Sequence, residues 1–98
     1  MDTILTLEEY SERIGVPKKD IIGDSRKYEH KIPRQLFWLY LHKKAGLSKR
    51  GIARRFKKDH CTIIRGLRTI SDLIETEDKI LSEYEGFIDT FLHLPQSN

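Results

Sequence analysis

The sequence has very little cysteine and no long apolar run. Cys61 is the only cysteine among 98 residues, which excludes a disulfide within the chain and suits a reducing compartment. No apolar stretch approaches the roughly 20 residues of a membrane span, and the first residues lack the basic and apolar regions of a signal peptide. We therefore predict a cytoplasmic protein that does not enter a membrane.

The residues that catalysis usually needs are also missing. The sequence has no GxxxxGKS/T phosphate loop and no Cys and His residues at metal-ligand spacing. His60 and Cys61 are sequence neighbours, which is poor geometry for a base and its nucleophile. We predict that the protein is not an enzyme and that it binds no nucleotide, metal or other cofactor.

Positive charge is concentrated in the middle of the chain. Residues 24–70 hold fourteen basic and three acidic side chains, net +11. The net charge is −2 over residues 1–23 and −6 over residues 71–98. A block this basic indicates a polyanionic partner, and the acidic flanks would keep the other faces of the protein away from phosphates.

Helical periodicity runs along the chain, and no strand pattern is present. Thr6 followed by Glu9 predicts a capping box that starts a first helix, and Gly15 is placed to end it. Residues 18–22 predict a short helix with both of its isoleucines buried. Residues 24–31 have no apolar period and predict an exposed basic loop.

A central helix is predicted to start at Pro33, which suits a first helical turn. Residues 36–41 are apolar all round, so Trp38 and Tyr40 are interpreted as core and not as a platform for bases. A last helix with a wide apolar face is predicted from about residue 77, and residues 95–98 are predicted to be frayed.

The stretch over 47–73 predicts a helix-turn-helix. Ser48 is placed to cap a short helix, only three residues separate this helix from a longer one, and Asp59 is placed to cap the longer one. The outward side of the longer helix carries Arg65 and Arg68, which suits a DNA major groove, although an ordinary hairpin with a solvated basic face has the same pattern. We predict one all-α domain over 1–98, a compact bundle of about five to six helices with the helix-turn-helix at about 48–75.

Four short motifs in order resemble the C-terminal DNA-binding domain of the bacterial replication initiator DnaA, whose helix-turn-helix is similar to that of the Trp repressor. They are Ser25-Arg26-Lys27, Pro33-Arg34-Gln35, Leu47-Ser48 and the run from Lys58 to Ile64, and the resemblance covers about residues 5–92. It implies that Arg26 enters a minor groove, that Arg34 and Gln35 hold phosphate, and that Asp59, His60, Cys61 and Thr62 read base edges. The full set of predicted DNA-binding residues is Arg26, Lys27, Arg34, Gln35, Ser48, Lys49, Arg50, Lys57, Lys58, Asp59, His60, Cys61, Thr62 and Arg65.

The departures from the family pattern add positive charge. Lys57-Lys58 stands where the family has a longer Gly-Gly-Arg turn, Lys49-Arg50 replaces Leu-Pro, Cys61 replaces Thr or Ser, and Arg65-Gly66 replaces His-Ala. We therefore expect a changed site preference, with tighter but less discriminating binding. Without an ATPase domain the chain is either an excised domain or a free-standing relative, and Met1 and the irregular tail favour the second.

The predicted function is sequence-specific binding of double-stranded DNA, through a helix-turn-helix in the major groove and a basic loop in the minor groove. The resemblance implies a replication-origin site like the DnaA box, or regulation of replication or transcription, with other replication proteins as further partners. One alternative is a protein-interaction module that mates through the apolar face of the last helix, at Phe87, Ile88, Phe91 and Leu92. RNA binding is disfavoured because the sequence has no RNP-like aromatic pair and no GxxG loop.

Overall fold

A computed structural model describes residues 4–92, and its first helix, α1 (Leu7–Ile14), begins at the predicted capping box. Thr6 Oγ1 accepts a hydrogen bond from the Glu9 amide at 3.1 Å, and the Glu9 carboxylate accepts one from the Thr6 amide at 2.9 Å. These bonds satisfy amides that have no partner inside the first turn. Gly15 ends α1 with a φ of +79°, a left-handed conformation that glycine adopts without steric cost.

The second helix, α2 (Lys18–Ile22), buries only one of its two isoleucines. Ile21 is fully buried, whereas Ile22 is 46% exposed, so the prediction that both point inward is wrong for Ile22. Successive residues of a helix point about 100° apart, and this short helix turns a single face toward α1 and α3.

The central helix, α3 (Tyr28–Lys43), begins earlier than the sequence indicates. The loop prediction over 24–31 is wrong for its last four residues, because the Lys27 carbonyl already accepts the first helical amide bonds. Pro33 consequently lies inside the helix and not in its first turn. Proline has no N–H, so the helix forgoes one backbone hydrogen bond at this position.

The core is built around α3, whose residues 32–41 are all buried. Trp38 is 3% exposed and Tyr40 is 2% exposed, which confirms the prediction that both belong to the core. Phe37 stacks on Tyr10 of α1 with the ring centroids 4.5 Å apart, and this contact ties the first helix to the central one. Burial of these large rings removes the most apolar surface of the chain from water.

The predicted helix-turn-helix is formed by α4 (Lys49–Phe56) and α5 (His60–Glu75), and both helices pack against α3. Ser48 caps α4 as predicted, since its Oγ accepts a hydrogen bond from the Gly51 amide at 3.0 Å. The turn begins at Lys57, whose φ of 55° is a left-handed conformation that is uncommon for a residue with a side chain. Lys57 thus occupies a position where glycine is the usual residue.

The last part of the chain does not form the single regular helix that the sequence predicts. A 3₁₀ helix (Lys79–Tyr84) is followed by a short helix, α6 (Glu85–Phe87), and by a π-helical stretch (Ile88–Leu92). The spacing of the buried residues matches this change, because they lie three apart over 81–87 and five apart over 87–92. A spacing of three suits the 3₁₀ geometry, and a wider spacing suits the π-helix.

Helices make up all the regular secondary structure of residues 4–92, which confirms the all-α prediction. They form a bundle with extents of 37 × 26 × 26 Å. None of these helices is both long and apolar enough to cross a membrane. The prediction that residues 95–98 are frayed concerns positions outside this described range.

Gly66 allows α5 to lie directly against α3. A Cβ atom at Gly66 would lie 2.6 Å from Cζ3 and 2.8 Å from Cε3 of Trp38, and both distances are far below van der Waals contact. The indole ring is 3% exposed and packs edge-on against Phe56, and this packing limits its movement away from Gly66. The missing side chain therefore sets the spacing between the two helices.

We expect Gly66→Ala to lower the free energy of unfolding by about 1–3 kcal/mol, the usual cost of forcing an extra carbon into a packed core. Gly86→Ala is the matched control, because a Cβ atom at Gly86 would have nothing within 4 Å. Urea unfolding followed by circular dichroism measures both variants. Equal midpoints for the two would contradict the close packing of Gly66 on Trp38.

Candidate nucleic-acid interface

An open groove of about 700 Å³ separates the loop after α2 from α5. We call residues 23–27 the arm loop and this cleft the basic groove. Its walls come from the arm loop, the first half of α3, the turn after α4 and the outward side of α5. The basic residues that line it are Arg26, Lys31, Arg34, Lys58 and Arg65, with Asp24 as the one acidic lining residue.

The basic groove brings together two elements that the sequence separates widely. Arg26 and Lys27 are exposed on the arm loop, and Thr62 and Arg65 are exposed on α5 across the groove. The width of the cleft leaves the space between them open to solvent. Two exposed basic elements that face one cleft can hold a single strand of a polyanion between them.

The start of α5 presents polar side chains to solvent. Asp59, Cys61 and Thr62 are exposed, and His60 is half-buried beside them. Asp59 lies at the N-cap position as predicted, but its side chain accepts no hydrogen bond from the amides of α5, so the predicted side-chain cap is wrong. Its carboxylate is therefore not committed to the helix.

Four further predicted residues are exposed around the turn and the start of α4. Ser48, Lys49 and Arg50 open α4, and Lys57 begins the turn that leads to α5. Within residues 4–92, none of these three basic side chains forms an ion pair. Their charge is thus available to a ligand at this end of the helix-turn-helix.

Arg34 is placed very differently from the exposed residues, because it is only 6% exposed and makes three hydrogen bonds within the protein. It donates to the backbone carbonyls of Asp20, Ile21 and Ser25 at 2.7, 2.9 and 2.9 Å. Desolvation by burial lowers the pKa of the guanidinium from its usual value, although the group stays charged. Arg34 thus satisfies the last carbonyls of α2 and holds the arm loop against α3.

Gln35 is also 6% exposed, and its Oε1 has no hydrogen-bond partner in residues 4–92. Its Cγ would lie 3.5 Å from a Cβ atom at Gly66, so the side chain packs between α3 and α5. Trp38 Nε1 is likewise buried without a partner, and both residues line the basic groove. The resemblance implies phosphate contact for Arg34 and Gln35, but both are buried, unlike the predicted DNA-binding residues that are exposed.

Lys58 reaches back from the turn to the arm loop. Its side chain is 12% exposed, and its Nζ donates to the Gly23 carbonyl at 2.9 Å and pairs with the Asp24 carboxylate. The hydrogen bond and positive charge of Lys58 hold the pKa of Asp24 below its usual value, because both favour the charged form of this carboxylate. In the protein alone, Lys58 is therefore occupied by the arm loop.

Six residues that line the groove were not predicted as part of the site: Asp24, Ser25, Lys31, Trp38, Gly66 and Thr69. Lys31 was interpreted as part of a loop, but α3 already includes it, and a spacing of four places it beside Gln35. Thr69 lies four residues after Arg65 on α5. A prediction that α3 starts at Tyr28 would have indicated Lys31, because it would have placed this residue one turn before Gln35. A prediction that the DNA-facing side of α5 continues one turn beyond Arg65 would have indicated Thr69.

A second groove, of about 970 Å³, has the opposite charge. It lies between the ends of α3 and α5 and the C-terminal segment, and among residues 4–92 Lys43 is its one basic lining residue. Its carboxylates would repel phosphates, so this side of the protein does not suit DNA. The acidic lining residues are Glu75, Glu77, Asp78, Glu85 and Asp89.

The apolar face predicted for the last helix is largely covered by the bundle. Phe87 and Leu92 are buried, and Ile88 and Phe91 are half-buried. Phe87 packs edge-on against Tyr10 at 5.1 Å between ring centroids. These contacts favour the interpretation of this face as core.

Fold and surface together define a helix-turn-helix protein of the kind that binds DNA through a basic face. The family described as "Bacterial dnaA protein helix-turn-helix" matches residues 6–70, from the cap of α1 to the middle of α5. The chain belongs to this family.

The similar proteins are much longer than this chain. A chromosomal replication initiator protein DnaA of Leptospira biflexa is 33% identical over 82 residues, which are 84% of this chain and 18% of that protein. Chromosomal replication initiator protein DnaA 1 of Chlamydia trachomatis is 34% identical over 65 residues, or 66% of this chain and 14% of that protein. The chain thus spans less than a fifth of the relatives it matches, and no solved structure matches it significantly.

Proposed function

We propose that the protein binds double-stranded DNA with sequence preference, by placing α5 in the major groove and the arm loop in the adjacent minor groove. The basic groove is the observation that supports this most directly. Major and minor grooves are separated by one sugar–phosphate backbone, and the cleft between α5 and the arm loop has basic walls for it. The family to which the chain belongs supports the same role.

Six of the predicted basic residues are exposed and therefore able to neutralise phosphates. They differ from Arg34 and Lys58, whose charges are already held by the protein. Phosphate contacts orient a protein on the duplex but carry no sequence information. The six are Arg26, Lys27, Lys49, Arg50, Lys57 and Arg65.

Base readout is assigned to the start of α5. The Asp59 carboxylate makes no cap bond and can accept from a cytosine amino group, and His60 can hydrogen-bond a base edge. Cys61 and Thr62 are exposed on the next positions, where a small side chain can approach a thymine methyl group. Thr62 also lines the basic groove, so phosphate is its alternative partner.

The finer role is proposed from the relatives. Their descriptions name chromosomal replication initiators, so we propose a replication-origin site resembling the DnaA box, in the cytoplasm, as part of replication or its regulation. The protein would act without catalysis, and other replication proteins are its expected further partners. The alternative role of a protein-interaction module is less well supported, because the apolar face it needs is mostly covered.

Binding to duplex DNA should depend steeply on salt. If the six exposed basic residues release counterions from phosphates, log K plotted against log salt concentration should fall with a slope of about −5. Fluorescence anisotropy of a labelled random duplex between low and moderate salt measures this slope. A slope shallower than about −2, or binding that salt leaves unchanged, would count against the basic face as the interface.

His60 and Asp59 should affect preferred sites more than random ones. Against a duplex selected from a random library, His60→Ala should cost about 1–3 kcal/mol, with little loss on a scrambled duplex. Asp59→Asn should reduce discrimination at one base pair while affinity for the scrambled duplex holds or rises, because a negative charge near phosphate is removed.

Both variants are compared with the wild-type protein on the two duplexes at one salt concentration, and thermal unfolding is the control. Since Asp59 makes no side-chain cap bond, Asp59→Asn should change stability by well under about 1 kcal/mol. Parallel losses on both duplexes together with lower thermal stability would show that these residues build α5 and do not read sequence.

A further inference from the structure

The arm loop is held by two cations that come from two different parts of the fold. Arg34 of α3 donates to the Asp20, Ile21 and Ser25 carbonyls, and Lys58 of the turn donates to the Gly23 carbonyl. The Asp20 and Ile21 carbonyls lie at the end of α2, where they have no helical partners. The Gly23 and Ser25 carbonyls belong to the arm loop itself, and holding both limits the directions in which the loop can point.

We propose that Lys58 is a positioning residue that ties the helix-turn-helix to the arm loop, so that Arg26 and α5 meet the duplex as one rigid unit. This inference rests on the proposed DNA-binding function and concerns how the two reading elements are kept in register. Lys58 acts through the loop and does not itself contact DNA. Arg34 supports the same loop from α3.

The surroundings of Lys58 favour this role over direct phosphate contact. Its ammonium group has three N–H donors. One donates to the Gly23 carbonyl and another to the Asp24 carboxylate. Its side chain is mostly buried, whereas that of Asp24 is almost fully exposed. A phosphate would have to compete with the Asp24 carboxylate, whose charged form Lys58 stabilises.

Lys57, the preceding residue in the same turn, has a side chain that is available to a ligand. It is exposed, and no hydrogen bond from its side chain is present in residues 4–92. Its left-handed backbone turns the chain between α4 and α5, and the next residue is the one that reaches the arm loop across 35 positions of sequence. The two neighbours therefore form a natural pair of variant and control.

Pre-ordering of the arm loop has a consequence for specificity. A guanidinium that enters a minor groove reads its width and A·T content. An arm held at a fixed distance from α5 would find the correct minor-groove position only when α5 is in register, whereas a loose arm would settle on any nearby phosphate. The contact of Lys58 with the arm loop should therefore affect discrimination between sites more than total affinity.

The first experiment needs no DNA. Backbone order parameters from ¹⁵N NMR relaxation over residues 24–27 are compared in Lys58→Met, Lys58→Arg and the control Lys57→Met, each of which is checked for thermal unfolding. We expect lower order parameters in Lys58→Met only, with Lys58→Arg close to the wild-type protein. Unchanged order parameters in a folded Lys58→Met would overturn the proposed role of Lys58, whatever the behaviour of the protein toward DNA.

The second experiment measures coupling to Arg26. A duplex selected with the wild-type protein is compared with the same duplex in which the A·T flank is changed to G·C. Lys58→Met should reduce the preference for the A·T flank by roughly tenfold, as Arg26→Ala does, and the double variant should lose little more. Lys57→Met should weaken both duplexes alike and add to Arg26→Ala.

The outcomes separate the inference from the proposed function. A uniform loss in Lys58→Met that adds to Arg26→Ala would make Lys58 a phosphate contact and overturn the inference while the proposed function stands. Tighter binding and unchanged flank preference in Asp24→Asn would also overturn it, because they would mean that Asp24 only competes with phosphate for Lys58. Absence of any duplex preference in the wild-type protein would remove the proposed function, and the backbone order parameters of residues 24–27 would still test the contact between Lys58 and the arm loop.

Discussion

The close contact of α5 with α3 at Gly66 and Trp38 is the constraint on which the rest of the structure depends. This contact holds α5, the helix proposed to read DNA, directly against α3, the most buried element of the fold. Arg34 fixes the arm loop to the same element, because it donates to the Ser25 carbonyl of that loop and to the Asp20 and Ile21 carbonyls of α2. One central helix thus sets the distance between two surface elements, and side chains that are almost fully buried determine the shape of the basic groove.

Basic and acidic side chains occupy different parts of the surface, as they occupy different parts of the sequence. Nine exposed lysines and arginines lie around α4, α5 and the arm loop, while five carboxylates line the groove at the C-terminal end of α5. Long-range attraction would therefore orient the protein toward a duplex before any base is contacted. Because the departures from the family pattern add basic residues at the turn and at the start of α4, non-specific attraction is expected to be strong, and discrimination would depend on how precisely the arm loop and α5 are aligned.

Local signals in the sequence predicted most of the fold. The capping box at Thr6, the cap at Ser48 and the apolar run around Trp38 each determine structure through neighbours a few residues away. The start of α3 was missed because Pro33 is a frequent first residue of helices, and the irregular C-terminal segment was missed because its geometry follows from packing. For the candidate site, residue type indicated where positive charge lies but not which charges are already used. Arg34 and Lys58 resemble the exposed basic residues in sequence, and only tertiary structure shows that carbonyls hold them; contact of the others with DNA stays a prediction.

Cys61 offers the most direct measurement of the central claim, that α5 enters the major groove. It is the only cysteine in the sequence and is exposed on the first turn of α5. The rate of its alkylation by iodoacetamide is measured without DNA, with saturating selected duplex, and with the same duplex at high salt. The account predicts strong protection by the duplex and recovery of the rate when salt releases the protein. Alkylation at an unchanged rate while anisotropy shows the duplex to be bound would contradict it, because α5 would then face away from the DNA.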